Sequence, residues 1–485
     1  MTGRRAASAL DAIVVGSGPN GLAAAIALAR EGLSVRVYEA QDQAGGGLRS
    51  AALTGPGYVN DVCATVHALA LASPFLKTLP LAAHGFEPVH PDAPFAHPLD
   101  DGDAVVVERS IAATSEALSR DGRAYQRLFA PLAAQADHVM EALLSPPGTR
   151  HPLLMARVGM TAIRSAKGLA GRFGSERTRA MIAGVAAHAI VPLDFAGTAG
   201  YTLGLGLSAH GYGWPLARGG SQRLADALAA HLVSLGGAII TGAPVTSLEN
   251  LPASRAVLCD VSPQQLIELT GARMPDRYRR RLAAFRRGPG VFKMDWALRE
   301  PVPWRARGCR RAGTVHLGGS FDEIAGSEDA AWRGRVHDRP YVLVVQPSLW
   351  DASRAPAGAH TLWAYCHVPN GATMDMTARI EAQIERFAPG FRDTILVRHA
   401  MAPAAMQARN ANLAGGDIAG GAGDLAQVLM RPVLSASPYA TAIDDVYLCS
   451  SSTPPGVGVH GMCGYFAARA ALRRTFGRTP SPLGD

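Results

Sequence analysis

The sequence predicts an α/β fold, with a Rossmann-like domain interrupted by the parts of a discontinuous α+β domain. Three observations carry this. The first fifty residues spell strand, glycine turn, helix, second strand and acid. The last fifty spell a strand, a turn and a glycine-rich helix start. Between them lie two long stretches, one helical in pattern and one that opens on apolar strands.

In chain order, Asp11–Val15 (DAIVV) reads as a short buried strand, followed at once by Gly16-Ser17-Gly18-Pro19-Asn20-Gly21. Leu22–Glu31 has the small apolar residues of a packed helix, Ser34–Tyr38 is the next strand, and Glu39 ends it. Each residue type has a reason. Gly16 permits the tight turn, Gly18 lets backbone approach a diphosphate, and Gly21 lets helix and strand pack closely. Pro19 and Asn20 open a helix whose free N–H groups and positive dipole end face the anion. Glu39 and the following Ala40 sit where ribose hydroxyls are bound. An acid there repels a 2′-phosphate, which argues against NADP.

The next residues discriminate among dinucleotides. Gly45-Gly46-Gly47-Leu48-Arg49-Ser50 lets the chain cross beside the diphosphate, and Arg49 can neutralise it. At the far end, Asp445–Leu448 is a strand, Cys449–Pro455 a turn, and Gly456–Met462 leads into a helix over Cys463–Leu472. Together these resemble the FAD-containing phytoene desaturase and amine oxidase superfamily, of glutathione reductase-type fold. Within it the chain is similar to the pyridine nucleotide-disulfide oxidoreductase domain-containing protein 2 branch. The likeness includes Asp61–His67 (DVCATVH), Ala217–Gln222 (ARGGSQ), Trp363–Pro369 (WAYCHVP) and Val459–Gly464 (VHGMCG). Two positions depart from the branch, with Ser450 where it usually has Gly and Pro454 where it often has His.

The resemblance implies a bound FAD. Gly16, Gly18, Pro19, Asn20, Gly21, Glu39, Ala40, Gly45, Gly46, Gly47 and Arg49 would hold its ADP half. The segment around Val245 would lie against adenine. Ser451, Ser452, Gly458 and Val459 would meet the flavin ring and ribityl chain. It also implies an FAD-dependent oxidoreductase, a dehydrogenase, desaturase or oxidase acting on a lipophilic or amine-bearing small molecule. Hydride would pass to flavin N5, and electrons would leave to oxygen, a quinone or a carrier. Members of the branch described as mitochondrial interaction partners supply the alternative, an FAD-binding regulatory or assembly protein with little turnover. An NAD dehydrogenase fits poorly, since Gly45–Gly47 and Gly456–Gly461 have no place in one.

The motif order makes both domains discontinuous. Residues 1–75, 219–290 and 436–485 form the expected FAD-binding domain, with a helix over Gln222–Leu235 and strands at Ala238–Thr241, Val245–Leu248 and Ala256–Asp260. Residues 76–218 and 291–435 form the substrate domain. Its first part reads as helices over Ile111–Arg120, Ala124–Leu143, His151–Ala170 and Thr178–Ala189. Its second part has strands at Val291–Leu298, Tyr341–Val345 and His360–His367, then a helix at Thr377–Phe387. A sheet floor under a helical lid is expected. Gly415–Gly423 lacks a preceding strand and is not expected to bind phosphate.

Composition bounds the rest. With 485 residues, 48% hydrophobic and 18% charged, the chain is an ordinary folded protein of two domains. No uncharged apolar run is long enough to span a membrane, and the basic N-terminus lacks the apolar region of a secretory signal. Six scattered cysteines form no CxxC and no zinc spacing, so neither disulfide chemistry nor a metal is expected. This is a reducing-compartment pattern. A cytoplasmic location is expected, peripheral to a membrane in one variant, or the mitochondrial matrix if the source is eukaryotic. The net charge is +8, with seven arginines between Arg273 and Arg287, yet no nucleic-acid motif accompanies them. A solvated face is the simpler reading. His151–Gly171 is a basic amphipathic stretch that could touch an anionic membrane or serve as a lid helix. A protein partner or homodimer stays open.

Three residues are candidates for chemistry. Lys293 sits inside an apolar strand, where an unpaired ammonium is costly. It resembles the strand lysine that related amine oxidases place near flavin N5, where it could position water or assist oxygen reduction. His67 follows the first FAD segment and His460 starts the closing helix, and either could transfer protons near neutral pH. Trp214, Trp296, Trp363 and Tyr365 are expected in the core.

Overall fold

The computed structural model describes residues 10–146 and 152–483. Five strands form an all-parallel sheet in the order Val446–Leu448, Ser254–Cys259, Leu10–Val15, Val35–Tyr38, Ala238–Ile240. Both faces are covered, as a parallel sheet requires. Ala12, Val14, Ala256 and Leu258 pack against helices Pro19–Arg30, Gln222–Ser234 and Met462–Arg474. Ile13, Val15, Val257 and Cys259 meet Leu248, Leu266, Leu269 and Leu282 on the other side. The first helix lies tight on the turn. A Cβ on Gly21 would stand 2.1 Å from the Gly16 carbonyl oxygen, so only glycine fits.

A second, seven-stranded sheet runs in the order Ile395–Met401, Gly290–Leu298, His360–Val368, Val342–Val345, Ala312–Leu317, Ala93–Pro98, Ala104–Val107. The period of two along each strand divides its side chains. Phe292, Met294, Trp296, Leu362, Ala364 and Cys366 fill a core with Ile380, Ile384 and Phe391 beneath the sheet. Val291, Lys293, Thr314, Leu343, Trp363 and Tyr365 face the opposite way and line the floor of a cavity. Helices Glu176–Ala186 and Thr198–Gly211 lie over that face.

Several expected elements are revised. Val245–Leu248 is no strand. Pro244 precedes it, and the Ser247 side chain accepts from Glu249 N–H, turning the chain into a short 3-10 helix at Leu248–Asn250. The stretch 124–143 divides into helices Gly122–Ala133 and Ala136–Leu143. The stretch 151–170 divides into Pro152–Ala162 and Ala166–Ala170, because Ser165 caps the second piece. His151 and residues 1–9 lie outside the described residues. The first insertion also contributes strands Ala93–Pro98 and Ala104–Val107, hidden in sequence by Pro94 and Pro98.

On the basic amphipathic stretch, Val158 and Leu169 are buried while Leu153, Met160 and Ile163 are exposed. Among the described residues no helix is long and apolar enough to cross a membrane. In the arginine cluster, Arg273 pairs with Asp445 and Arg286 with Asp424.

Candidate functional site

One cavity of about 920 Å³ runs from the carboxyl ends of the parallel strands to the floor of the second sheet. Ligands of open parallel sheets bind at such strand ends. At one end it is walled by the glycine turn (Gly16 to Asn20), Tyr38 to Gln41, and Pro244 to Thr246. Gly46, Gly47, Arg49 and Asn412 line its middle, and Ser451 and Val457 to Val459 its far wall.

Glu39 is organised for recognition. Its Oε2 accepts from Ser17 N (2.9 Å) and Ser17 Oγ (2.5 Å), and its Oε1 accepts from Gln41 N at 2.9 Å. Its carboxylate oxygens keep lone pairs for ribose hydroxyls. Gly18 gives the helix at Pro19–Arg30 no side-chain cap, and apart from the Gly21 N–H, which Asp260 takes, its amino end is open to an anion. The buried Asn20 Oδ1 has no partner there. Arg49 is held by the carbonyls of Gly46 and Arg409.

These residues fit a dinucleotide: a helix start with no cap from its own N-cap residue, a fixed ribose acid, a cation beside the turn, and an orphaned buried polar atom. Gly45 and Gly21 act from behind this wall. Gly45 N donates to Ser17 O and Ser17 Oγ at 3.1 and 3.2 Å and shapes the loop. Ala40, Pro19, Gly18 and Val245 are on the wall itself.

Asp260, which sequence reasoning missed, follows the strand next to the first one and lies under the glycine turn. Its Oδ2 accepts from Gly21 N at 2.9 Å. Burial pushes its carboxyl up to about 7, and Glu39 adds to this, against the pull of the Gly21 N–H. Its place at a parallel-strand end was the available signal.

At the second sheet, Lys293 and its neighbour two residues on, Asp295, form a buried ion pair, each side chain 1% exposed. Lys293 therefore points inward, at the cavity floor. Its Nζ stands 5.8 Å from the Trp363 ring centroid. Burial raises the Asp295 carboxyl to about 6 even though Lys293 opposes the shift. Asp295 was missed too, although the i, i+2 spacing on one strand face was legible.

Trp214, Trp363 and Tyr365 are buried in the core as expected and also line the cavity, while Trp296 is buried beneath the sheet and donates to Glu381 Oε1 at 3.1 Å. Trp363 and Tyr365 stand nearly perpendicular, with centroids 5.2 Å apart. Cys63 is a lone thiol on the wall, pushed up to about 11 by burial and hence protonated.

The two histidine candidates differ. His67 reaches the cavity wall, and its Nε2 lies 3.1 Å from Ser221 Oγ. Burial holds it at about 4, so it is neutral. His460 does not reach the wall. Its ring turns back to accept from Met462 N–H at 3.0 Å, capping the closing helix. Ser452 is likewise turned away, its Oγ donating to Gly420 O at 3.1 Å, while Ser451 faces the cavity.

A sequence profile of the NAD(P)-binding Rossmann-like domain matches residues 14–79. Two curated relatives, from Mus musculus and Rattus norvegicus, are 26% identical over 96% of this chain and 93% of their own length. Both are named pyridine nucleotide-disulfide oxidoreductase domain-containing protein 2. Among solved structures, an oxidoreductase from Methanosarcina mazei matches with a TM-score of 0.63 at 14% identity, over 96% of this chain and all of that one. A putrescine oxidase bound to putrescine matches at 0.61 and 17%, over 97% of this chain and 99% of that one. Cyclohexylamine oxidase from Brevibacterium oxydans matches at 0.56 and 16%, over 97% of this chain and 100% of that one. The fold is that of amine-oxidase-type oxidoreductases.

Proposed function

We propose that this chain is an FAD-dependent oxidoreductase acting on a lipophilic or amine-bearing small molecule. The observation that supports it is the continuity of the cavity. The wall with Glu39 and the glycine turn opens without a partition into a chamber walled by Lys293, Trp214, Trp363 and Tyr365. A dinucleotide anchored at one end would extend its reactive ring towards the other.

Glu39, the glycine turn, the open helix start and Arg49 would hold the ADP half. Val245 would lie against adenine, and Ser451, Gly458 and Val459 against the ring. Bound flavin supplies a two-electron acceptor for hydride. The chain supplies orientation and water exclusion. Trp363, Tyr365, Leu343 and Val291 present an apolar floor that seats a substrate and strips its water. The Lys293 ammonium, fixed by Asp295, holds a water molecule or an oxygen-derived anion at the floor. Neutral His67, held near Ser221, can accept a proton without first losing one. Oxygen, a quinone or a protein carrier would take the electrons.

Anaerobic mixing of the yellow protein with a panel of lipophilic polyenes and amines tests this. Bleaching of the band near about 450 nm by one compound class is the expected result and identifies that class. A flavin spectrum that no compound bleaches would favour a regulatory or assembly role.

A further inference from the structure

The chamber contains a histidine pair that the reading above does not use. His188 lines the cavity and is half-buried, and its Nε2 lies 3.0 Å from Nε2 of the fully buried His316. Both rings are neutral. Burial holds His188 at about 3 and His316 well below its usual value. One nitrogen of this contact must therefore donate and the other accept.

The far side of His316 decides which. Its Nδ1 is buried with no partner. The rings of Phe95, Trp214 and Tyr341 surround the His316 ring, with centroids 5.3, 6.0 and 6.0 Å from its own. The Tyr341 hydroxyl is already donating to Gly184 O at 2.9 Å. A buried N–H without an acceptor is rarer than an unmet acceptor. His316 thus carries its proton on Nε2 and donates to His188 Nε2. That leaves the His188 proton on Nδ1, an atom with no hydrogen bond to the protein among the described residues.

The charges of the cavity point the same way. Its carboxylate residues are Glu39, Asp260 and Glu268, all at the nucleotide end. Its cations include Lys293 and Arg409 near the floor. A second ammonium would meet no free carboxylate there, because Asp295 is paired with Lys293 and Glu328 with His367, and neither carboxylate lines the cavity.

We propose that His188 is a specificity residue whose Nδ1–H donates to the substrate. The substrate class is then an apolar or aromatic molecule bearing a neutral acceptor, such as a carbonyl or ether oxygen, rather than a dication or an ammonium-headed chain. This rests on the reading that the chamber seats the substrate.

Three matched probes test it on the FAD-loaded protein: 4-phenylcyclohexanone, phenylcyclohexane and protonated 4-phenylcyclohexylamine. Binding is read from Trp214 and Trp363 fluorescence and from shifts of the flavin band. The ketone should bind about tenfold tighter than the hydrocarbon, and tighter than the ammonium. His188→Phe should bring the ketone-to-hydrocarbon ratio to about one. His188→Asn, which keeps a donor in place, should retain most of it, and His316→Leu should reduce it by freeing the tautomer. A ratio unchanged in His188→Phe, or tightest binding of the ammonium, would overturn the proposal. Colourless protein that keeps the ratio in fluorescence would defeat the flavin reading and leave this one standing. Yellow protein without the ratio would do the reverse.

Discussion

Arg354→Met is expected to cost about 3–5 kcal/mol, a large share of the stability of an ordinary domain. Arg354 is fully buried and joins three segments. Its Nη1 donates to Asp61 Oδ2 at 2.9 Å, its Nε to Asp351 Oδ2 at 3.0 Å, and its Nη2 to Ala217 O at 2.9 Å. Both carboxylates are 0–1% exposed, so the substitution strands two buried charges. The loss would reach the site. Asp61 Oδ1 accepts from Ser50 Oγ and from Ser221 N, each at 2.7 Å, and Ser221 Oγ holds His67.

The pH dependence has a definite sign. Burial raises the Asp61 carboxyl, but Arg354 and the donors Thr65, Ser221 and Ser50 overcome it and hold it below 3.8. That contribution is present above the usual carboxylate value and is lost as pH falls through the folded one. In the variant, burial wins and the carboxyl rises. Its deficit in urea unfolding should therefore be greatest near neutral pH and shrink towards about pH 4.5. An equal deficit at both pH values would show that the charges are not what the arginine compensates.

Lys293→Met is expected to slow flavin reduction or reoxidation by about 10²-fold while FAD stays bound. The proposed nucleotide cradle lies at the parallel sheet and Lys293 on the second sheet's floor, so cofactor retention and rate should separate. Loss of the ammonium also leaves Asp295 buried with, among the described residues, only His399 Nδ1 nearby, 3.9 Å away, and its carboxyl rises further from about 6. A protonated Asp295 cannot replace the lost cation. Stopped-flow measurement of both half-reactions checks this, and unchanged rates in both would remove Lys293 from the mechanism.

The parallel sheet was legible because its motifs are local. Gly16 to Glu39 spell turn, helix and acid within one βαβ unit, and all of those residues stand near one another. Lys293 was legible for a different reason, since an ammonium in a run of apolar residues needs a partner. Its partner Asp295 shares its strand face by the i, i+2 spacing, but the inward faces of Trp363 and Tyr365 depended on which side of a nine-residue strand meets the cavity. Both faces of that sheet are covered, so alternation of polar and apolar residues gave no sign. His188 and His316 lie far apart in sequence, on a helical segment and a strand, and only tertiary packing joins them. His460 was misread because its neighbours line the cavity while its own ring caps the helix.

The most direct measurement is the absorbance spectrum of the purified wild type beside Glu39→Arg. A flavin spectrum, with bands near about 370 and 450 nm, is expected in the wild type. Glu39→Arg should be colourless, because an arginine in place of the acid fixed by Ser17 and Gln41 offers ribose hydroxyls no acceptor. A wild type that takes up no flavin even after reconstitution, or a variant that keeps a full complement of it, would contradict the account.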